Sequence, residues 1–479
     1  MTAHMHLGTD GWRGLLAEDC TFEEIRRLAR GTARWLAADG GDCPRVAVGF
    51  DTRFLSPELA RAAAEELARD GVGVLLSERP IPTPAVSFHV RRLGLRAGVA
   101  ITASHNPGAY NGFKLKAAFG GSAPPEMYAA VAKELGKPAP RASAVAEVET
   151  RDLTTPYRER LAALVDLPAI RAANLSALAD SMHGAAGGLL ADIAAGAGAR
   201  VLPFRAARDP LFGGVHPEPI GENLAASGER VRAEGLDLAV ANDGDADRLG
   251  VLDRRGAFVS PHRVFALLLL HAFRARGVSG GIAKTFSTSL LIDRVAAGLG
   301  ARLYETPIGF KHIAELMTRG QVAVGGEESG GYAFGFHLPE RDGLVSALVL
   351  LESLALAGRD LDGALEALAR EFGEFAYGRR DVLLPAPVVR AFLEEVRDAP
   401  PERFAGEEIT RVRDLDGVKY DFGADGWLLH RLSGTEPMIR LYCEHAHADT
   451  VRRILHEAVR RLEDFASARG ASPRFPRGE

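Results

Sequence analysis

Apolar positions along the chain keep changing their spacing, and the changes mark the elements. Thr21 and Glu24 form a capping box, and Phe22, Ile25, Leu28 and Leu36 then recur on one helical face. A strand at Val46–Phe50, a helix at Pro57–Arg69 and a strand at Val72–Leu76 follow. The short run Gly98–Ile101 leads as a buried strand into a polar loop. After Lys137-Pro138-Ala139-Pro140 the period is lost, which sets a boundary near residue 150. The alternation then resumes, with strands at Ala177–Ala179, Val201–Phe204 and Leu236–Ala241 and helices at Gly184–Ala195 and Leu224–Glu234. A third stretch gives helices at Val264–Arg276, Ser289–Gly298 and Lys311–Arg319, with strands at Gly281–Phe286, Arg302–Tyr304 and Val322–Val324. Strands alternating with helices predict mainly parallel sheets covered on both faces.

From about residue 373 the order differs. A strand at Glu374–Leu384 and a helix at Val388–Arg397 precede consecutive strands around Ile409–Arg413, Gly417–Phe422, Trp427–Leu432 and Met438–Cys443, then a helix to about Phe465. Strands in succession before a terminal helix predict a small α+β domain on an antiparallel sheet. The tail Ala466–Glu479, rich in Ser, Pro, Gly and Arg, reads as disordered. The expected organisation is four domains, at 1–150, 151–257, 258–372 and 373–479.

Composition narrows the class. A chain of 479 residues is too long for one core. No apolar run approaches the roughly 18 residues that span a bilayer, and Val264–Leu270, bordered by His262, Arg263 and His271, reads as a buried helix. A membrane protein is excluded on this reading. The N-terminus has no basic stretch followed by an apolar one, so no signal peptide is expected. Cys20, Cys43 and Cys443 have no ligand-like spacing and cannot all pair, which suits a reducing cytoplasm. A net charge of −5 argues against a general nucleic-acid binder, so any anion site has to be built locally.

Five loops carry candidate chemistry. Gly8 to Gly14 sets three glycines around Arg13, whose planar fork suits phosphate. Residues 101–114, Ile-Thr-Ala-Ser-His-Asn-Pro-Gly-Ala-Tyr-Asn-Gly-Phe-Lys, put the Ser104 hydroxyl, the His105 imidazole and the Lys114 ammonium in one turn. Asn242-Asp243-Gly244-Asp245-Ala246-Asp247-Arg248 turns three carboxylates to one side, which suits a hard divalent cation. An acidic capping turn remains open, whereas a calcium hand lacks its glutamate. Gly325 to Gly331 holds Glu327, Glu328 and Ser329 between paired glycines, suited to sugar hydroxyls or simply to a solvated turn. Arg431 to Arg440 brings two arginines, two hydroxyls and a glycine into a hairpin that is either a phosphate cradle or an ordinary polar turn.

Thr-Ala-Ser-His-Asn-Pro closely resembles the active-site loop of the α-D-phosphohexomutase superfamily, enzymes that move a phosphoryl group between the 1- and 6-positions of a hexose. Asp-Gly-Asp-Ala-Asp-Arg, Gly-Glu-Glu-Ser-Gly and Arg-Leu-Ser-Gly-Thr-Glu-Pro resemble that family's metal, sugar and phosphate loops, in its order and over essentially the whole chain. The resemblance implies an α/β protein of three similar mixed or parallel α/β sandwich domains and a C-terminal α+β domain with an antiparallel sheet, around a central cleft. It makes Ser104 the phosphoserine and places Arg13 and Arg248 in the active site. It makes Asp243, Asp245 and Asp247 the Mg²⁺ ligands, with a phosphoryl oxygen on Ser104 as a further one. Glu327 and Ser329 would read sugar hydroxyls. Lys284 and Lys311 resemble ligand-facing positions, and Arg431, Ser433, Gly434, Thr435 and Arg440 would hold phosphate. The expected partners are a hexose phosphate and glucose 1,6-bisphosphate, with no nucleic acid and no membrane, in a monomer or homodimer.

A migrating phosphoryl group spreads negative charge, so Mg²⁺ with Arg248 and Arg13 meets its need for positioned cations, and Lys114 or His105 is available as base. The Glu-Glu-Ser-Gly-Gly loop looks like the phosphoglucomutase version. Dual phosphomannomutase/phosphoglucomutase loops usually have Met for Glu328 and His for Gly331, and phosphoglucosamine mutase loops have Gln and His. Glucose is thus favoured over mannose. A metal-dependent phosphoserine hydrolase would have no use for a second phosphate site, and a silent sugar-phosphate binder no use for Ser104 with its acidic triad.

Overall fold

The computed structural model describes residues 11–38, 44–137, 144–433 and 437–475. Gly8 to Asp10, Cys43, Pro138 to Pro140, Gly434, Thr435, Glu436 and residues 476–479 lie outside the described residues. The chain divides into two compact units, Met1–Ala283 with Gly309–Ala367, and Lys284–Ile308 with Leu368–Glu479.

The strands in chain order are β1 (Trp12–Leu15), β2 (Arg45–Phe50), β3 (Gly73–Ser77), β4 (Ala97–Ile101), β5 (Tyr110–Ala117), β6 (Gly121–Ser122) and β7 (Val148–Arg151). Then come β8 (Ser176–Asp180), β9 (Arg200–Phe204), β10 (Leu238–Asn242), β11 (Leu249–Asp253), β12 (Phe258–Val259), β13 (Gly281–Thr285), β14 (Leu303–Thr306), β15 (Val322–Gly326) and β16 (Tyr332–Phe334). In the first unit one sheet runs β1-β5-β4-β2-β3-β7, with β6 on β5. Its β4, β2, β3 and β7 are mutually parallel, and β5 pairs antiparallel with both β4 and β1, so β5 alone runs against the other strands of this path. The sheet is therefore mixed, mainly parallel in strand direction with the one reversed strand β5. The Ser104 loop folds straight back instead of crossing over through a helix, and β5 returns beside the strand that delivered it. Ile25, Leu28, Val46, Val48, Leu67, Val99, Phe113 and Leu115 are among the residues of its core.

A second sheet, β12-β11-β10-β8-β9, is parallel through β10, β8 and β9 and antiparallel through β11 and β12. In a third, β15 lies between β13 and β16. Each of β4, β10 and β15 ends in one of the polar loops, which is where open α/β sheets present ligand-binding residues.

In the second unit β17 (Ala376–Leu383), β20 (Arg411–Arg413), β21 (Val418–Asp421), β22 (Gly426–Leu432) and β23 (Met438–His445) form an antiparallel sheet in the order β17-β23-β22-β21-β20. The strands β18 (Arg403–Phe404) and β19 (Glu407–Glu408) pair separately. The helix Ala448–Ser467 buries Val451, Ile454, Leu455, Ala458 and Leu462 in its core. Residues 284–308 belong to this unit. Glu444 accepts from the Leu290 amide at 2.7 Å and from Trp427 Nε1 at 3.0 Å, and Lys419 Nζ donates to the Phe286 carbonyl at 2.7 Å.

Several expected elements shift. The helix expected at 184–195 spans Leu189–Ala197, because residues 181–188 form tight turns in which Met182 and His183 have positive φ and the Ala185 amide reaches the Gly244 carbonyl. The helix expected over 264–276 runs from Pro261 to Leu270 and widens into one π turn at His271–Ala275, where His271 is engaged with Glu352 at 2.6 Å. The tail expected to be disordered is ordered as far as described. The terminal helix continues to Ser467, and Arg474 exchanges backbone hydrogen bonds with Leu383. Helices at Thr83–Arg92 and Gly343–Ala357 were not expected. Most of the second is buried and apolar all round, so it shows no amphipathic period. No described helix is long and apolar enough to cross a membrane.

Candidate active site

Ser104 sits three residues beyond β4 with φ +52°, a left-handed conformation that costs a serine and is held by its surroundings. Its amide donates to Thr102 Oγ1 at 2.8 Å, and Thr102 Oγ1 donates to Asp51 at 2.6 Å. Arg53, fully buried, spreads its guanidinium over the carbonyls of Ser104, Asn106, Pro107 and Tyr110 at 2.5 to 3.1 Å and pairs with Asp51 at 2.9 Å. The strained loop is thus fixed by one planar fork of donors.

The Ser104 hydroxyl donates to Asp243 Oδ2 at 2.9 Å and lies 3.4 Å from His105 Nδ1. Burial, reinforced by the positive charges of Arg248, Arg13, Lys114 and Arg341, pushes the His105 imidazole well below its ordinary pKa. The shift keeps the ring in its neutral form and weakens its hold on a second proton. Lys114 follows on β5 and is fully buried, with Nζ 2.9 Å from Asp245 and 3.5 Å from Asp247. Arg13, on β1 opposite Gly112, reaches the loop through Asn106 at 2.6 Å.

Asp243, Asp245 and Asp247 are fully buried, and one oxygen from each lies within 4.8 Å of the others. The Asp247 and Arg248 amides donate to Asp243 Oδ1 at 2.9 and 3.1 Å, which closes the loop. Gly244 is required here, since a Cβ would sit 2.4 Å from the Ser104 carbonyl. Burial raises the Asp243 carboxyl well above the usual range, and Asp247 and Asp245 add to the rise. Burial works in the same direction on Asp245, but the Lys114 ammonium and the Thr83 hydroxyl outweigh it and hold that carboxyl low. Asp245 Oδ1 and Asp247 Oδ1 are buried with no hydrogen-bond partner. Two buried carboxylate oxygens without a hydrogen bond, beside a third carboxylate, could hold a hard divalent cation.

Glu327, one residue past β15, accepts from Arg341 at 3.0 Å, and Arg341 also donates to Asp247 at 2.7 Å. One buried arginine thus bridges the carboxylates of the sugar-loop and metal-loop candidates. Burial raises the Glu327 carboxyl, against the pull of Arg341. Arg341 runs where a side chain at Gly331 would be, with its Cδ 2.3 Å from an ideal Cβ there. Arg248 pairs with Glu218 at 2.9 Å, Ser329 is half-buried in the turn, and Lys311 lies in the first turn of the helix Phe310–Thr318.

The structure therefore brings Ser104, His105, Lys114, Arg13, the three aspartates, Arg248 and Glu327 into one contiguous network of the first unit. Lys284 lies in the second unit, buried against Asp293 and the carbonyls of Thr288 and Ser289. In the same unit Arg431 and Arg440 face each other across β22 and β23. Arg431 donates to Asp416 at 3.0 Å, Arg440 lies 3.6 Å from Asp381, and the Ser433 amide donates to the Met438 carbonyl at 2.9 Å. Gly434 and Thr435 lie outside the described residues.

Family models for phosphoglucomutase/phosphomannomutase alpha/beta/alpha domains I, II and III match residues 4–141, 155–256 and 260–372. The model of the C-terminal domain matches residues 393–461. The chain belongs to the phosphoglucomutase/phosphomannomutase family of the α-D-phosphohexomutases. Its relatives include a phosphoglucomutase/phosphomannomutase of Thermococcus kodakarensis, 32% identical over 95% of this chain and 98% of that protein. A phosphoglucosamine mutase of Cereibacter sphaeroides is 32% identical over 96% and 99%. A crystal structure from Thermus thermophilus, provisionally described as a phosphomannomutase, is 38% identical with TM-score 0.86, covering 97% of this chain and 100% of that one.

Within this phosphohexomutase, sequence reasoning passed over Arg53, Thr83 and Arg341. Arg53 follows the end of β2 just as Ser104 follows β4, and Arg341 lies in Glu340-Arg341-Asp342, three charges directly before an apolar helix. A charged triplet at the mouth of a buried helix was the available signal, and Asp342 does cap it, accepting from the Leu344 and Val345 amides.

Proposed function

We propose that this phosphohexomutase is a phosphoglucomutase, which interconverts glucose 1-phosphate and glucose 6-phosphate through a phosphoserine at Ser104 and a glucose 1,6-bisphosphate intermediate. The observation that carries the reading is the Ser104 hydroxyl, 2.9 Å from Asp243 in an acidic triad with two orphaned carboxylate oxygens. Asp243, Asp245 and Asp247 would hold Mg²⁺, which when bound neutralises charge on the phosphoryl group. Arg13 and Arg248 supply further positive charge for phosphoryl oxygens. Neutral His105 or Lys114 takes and returns the sugar hydroxyl proton. Glu327 and Ser329 accept and donate hydrogen bonds to the hexose hydroxyls. Arg431, Ser433, Gly434, Thr435 and Arg440 grip the phosphate that is not reacting, with Lys284 and Lys311 as further ligand-facing groups.

The preference for glucose rests on Glu328 and Gly331, which depart from the Met and His of the dual phosphomannomutase/phosphoglucomutase loop and the Gln and His of the phosphoglucosamine mutase loop. We read the protein as cytoplasmic and its organisation as four domains with limits near residues 150, 257 and 372. The deciding assay compares turnover of glucose 1-phosphate, mannose 1-phosphate and glucosamine 1-phosphate, each primed with its bisphosphate. A higher specificity constant for mannose or glucosamine overturns the glucose reading, and release of inorganic phosphate without interconversion overturns the mutase.

A further inference from the structure

Two lysines sit two residues apart on β5, so their side chains leave the same face of the strand. Both are fully buried. Lys114 belongs to the site already described. Lys116 does not, and Nζ lies 2.6 Å from Glu340 Oε2, itself fully buried. Ser87 donates to that oxygen at 3.0 Å, and Ser122 donates to Glu340 Oε1 at 3.1 Å. The amide of the next residue, Arg341, also donates to Glu340 Oε1, at 3.2 Å. The carboxylate thus collects an ammonium, two hydroxyls and a main-chain amide, all from within the first unit.

Such an arrangement is costly to keep for stability alone. Ions taken out of water recover little more than their desolvation, and apolar residues of similar volume commonly serve the fold as well or better. What apolar residues could not do is tether the Arg341 amide. Arg341 directs its guanidinium to Glu327 at 3.0 Å and Asp247 at 2.7 Å, so a shift of its backbone would loosen both carboxylates together.

We propose that Lys116 and Glu340 are a positioning pair for the reaction, fixing Arg341 between the sugar-loop and metal-loop carboxylates. The strand β5 then acts as a ruler. Its Lys114 sets Asp245 and Asp247, and its Lys116 sets the segment that carries Arg341. The kinetic part of the test rests on the function proposed above.

The test is the full-length double variant Lys116→Met/Glu340→Leu, with Glu340→Gln as a milder second variant that keeps an acceptor oxygen for Ser122 and Arg341. Support groups around an active-site charge commonly matter by tenfold to a hundredfold. The double variant should unfold within a few degrees of the wild type yet lose about tenfold to a hundredfold in kcat/KM, and Glu340→Gln a smaller part of that. In an Arg341→Met background the same replacements should cost less than about twofold, since the group they position is gone. Crystal structures of the variants should show the guanidinium released from Glu327 or Asp247. Wild-type kcat/KM in the double variant, full additivity with Arg341→Met, or both Arg341 contacts intact in the variant crystals would overturn the proposal. Should the wild type interconvert none of the hexose phosphates, the proposed function falls, and the variant crystals still decide the positioning role.

Discussion

Gly331→Ala adds a single methyl group at the point where the site is tightest. Gly331 does not occupy the left-handed region, so its backbone is open to alanine and only space is at issue. The new Cβ would stand 2.3 Å from Arg341 Cδ and 3.0 Å from Cγ, against the 3.5–4.0 Å of ordinary carbon contact. Arg341 is 6% exposed and its guanidinium is held at both ends, by Glu327 and Asp247, so it cannot swing clear without giving one of them up. A hydrogen bond to a charged partner is worth about 1.5–3 kcal/mol, and each 1.4 kcal/mol is a factor of ten. Losing the Glu327 contact should therefore lower kcat/KM by roughly tenfold to about 150-fold. Steady-state kinetics on glucose 1-phosphate primed with bisphosphate measures this, with thermal unfolding as the control for global damage. Combined with Arg341→Met, which removes the clashing atoms, Gly331→Ala should add almost nothing. Wild-type kcat/KM in Gly331→Ala, or additive losses in the pair, would refute the steric reasoning.

Ser104→Ala should nearly abolish turnover and remove a phosphate adduct seen by intact-mass measurement of the wild type, and unchanged turnover ends its assignment as carrier. Asp245→Asn should weaken Mn²⁺ binding measured by calorimetry at least tenfold, and chelation should inactivate the wild type reversibly. Full activity of either in chelator would make the loop a mere turn. Glu327→Ala should cost about tenfold to a hundredfold in specificity constant while leaving the Ser104 adduct in place; equal, slight losses for glucose and mannose substrates would show that Glu327 does not read the sugar. Lys419 is fully buried, and burial, helped by Lys284 and opposed by Glu305, lowers its ammonium from the ordinary value of 10.5 to about 7. Between those values the unfolded chain binds the extra proton, so wild-type stability should rise with pH from about 7 toward 10.5 relative to Lys419→Met. Thermal unfolding of both proteins at pH 6 and pH 9.5 checks this, and a difference independent of pH would contradict it.

How much of this was legible in the sequence depended on whether a feature was local. The strand–helix alternation and the loops at Ser104 and Asp243 could be read because period and turn chemistry are written in consecutive residues. The Gly343–Ala357 helix could not, because burial on all sides erases the periodicity that announces a helix. The antiparallel return of β5 depended on how the Ser104 loop closes, which Arg53 decides from more than fifty residues away. Arg341 escaped notice for a related reason. Its role comes from partners at positions 247 and 327, and no motif in its own neighbourhood names them.

The second compact unit is sewn from two separate stretches of chain, and this matters for anyone recombining relatives of this protein. The third family model runs unbroken across residues 284–308, yet the Leu290 amide, the Phe286 carbonyl and the Ile308 amide find partners in Glu444, Lys419 and Asp416. A crossover placed at the family boundary near residue 372 would leave those partners matched to a foreign segment. Residues 284–308 and the chain from 368 onward should be exchanged together, as one cassette inherited in two pieces.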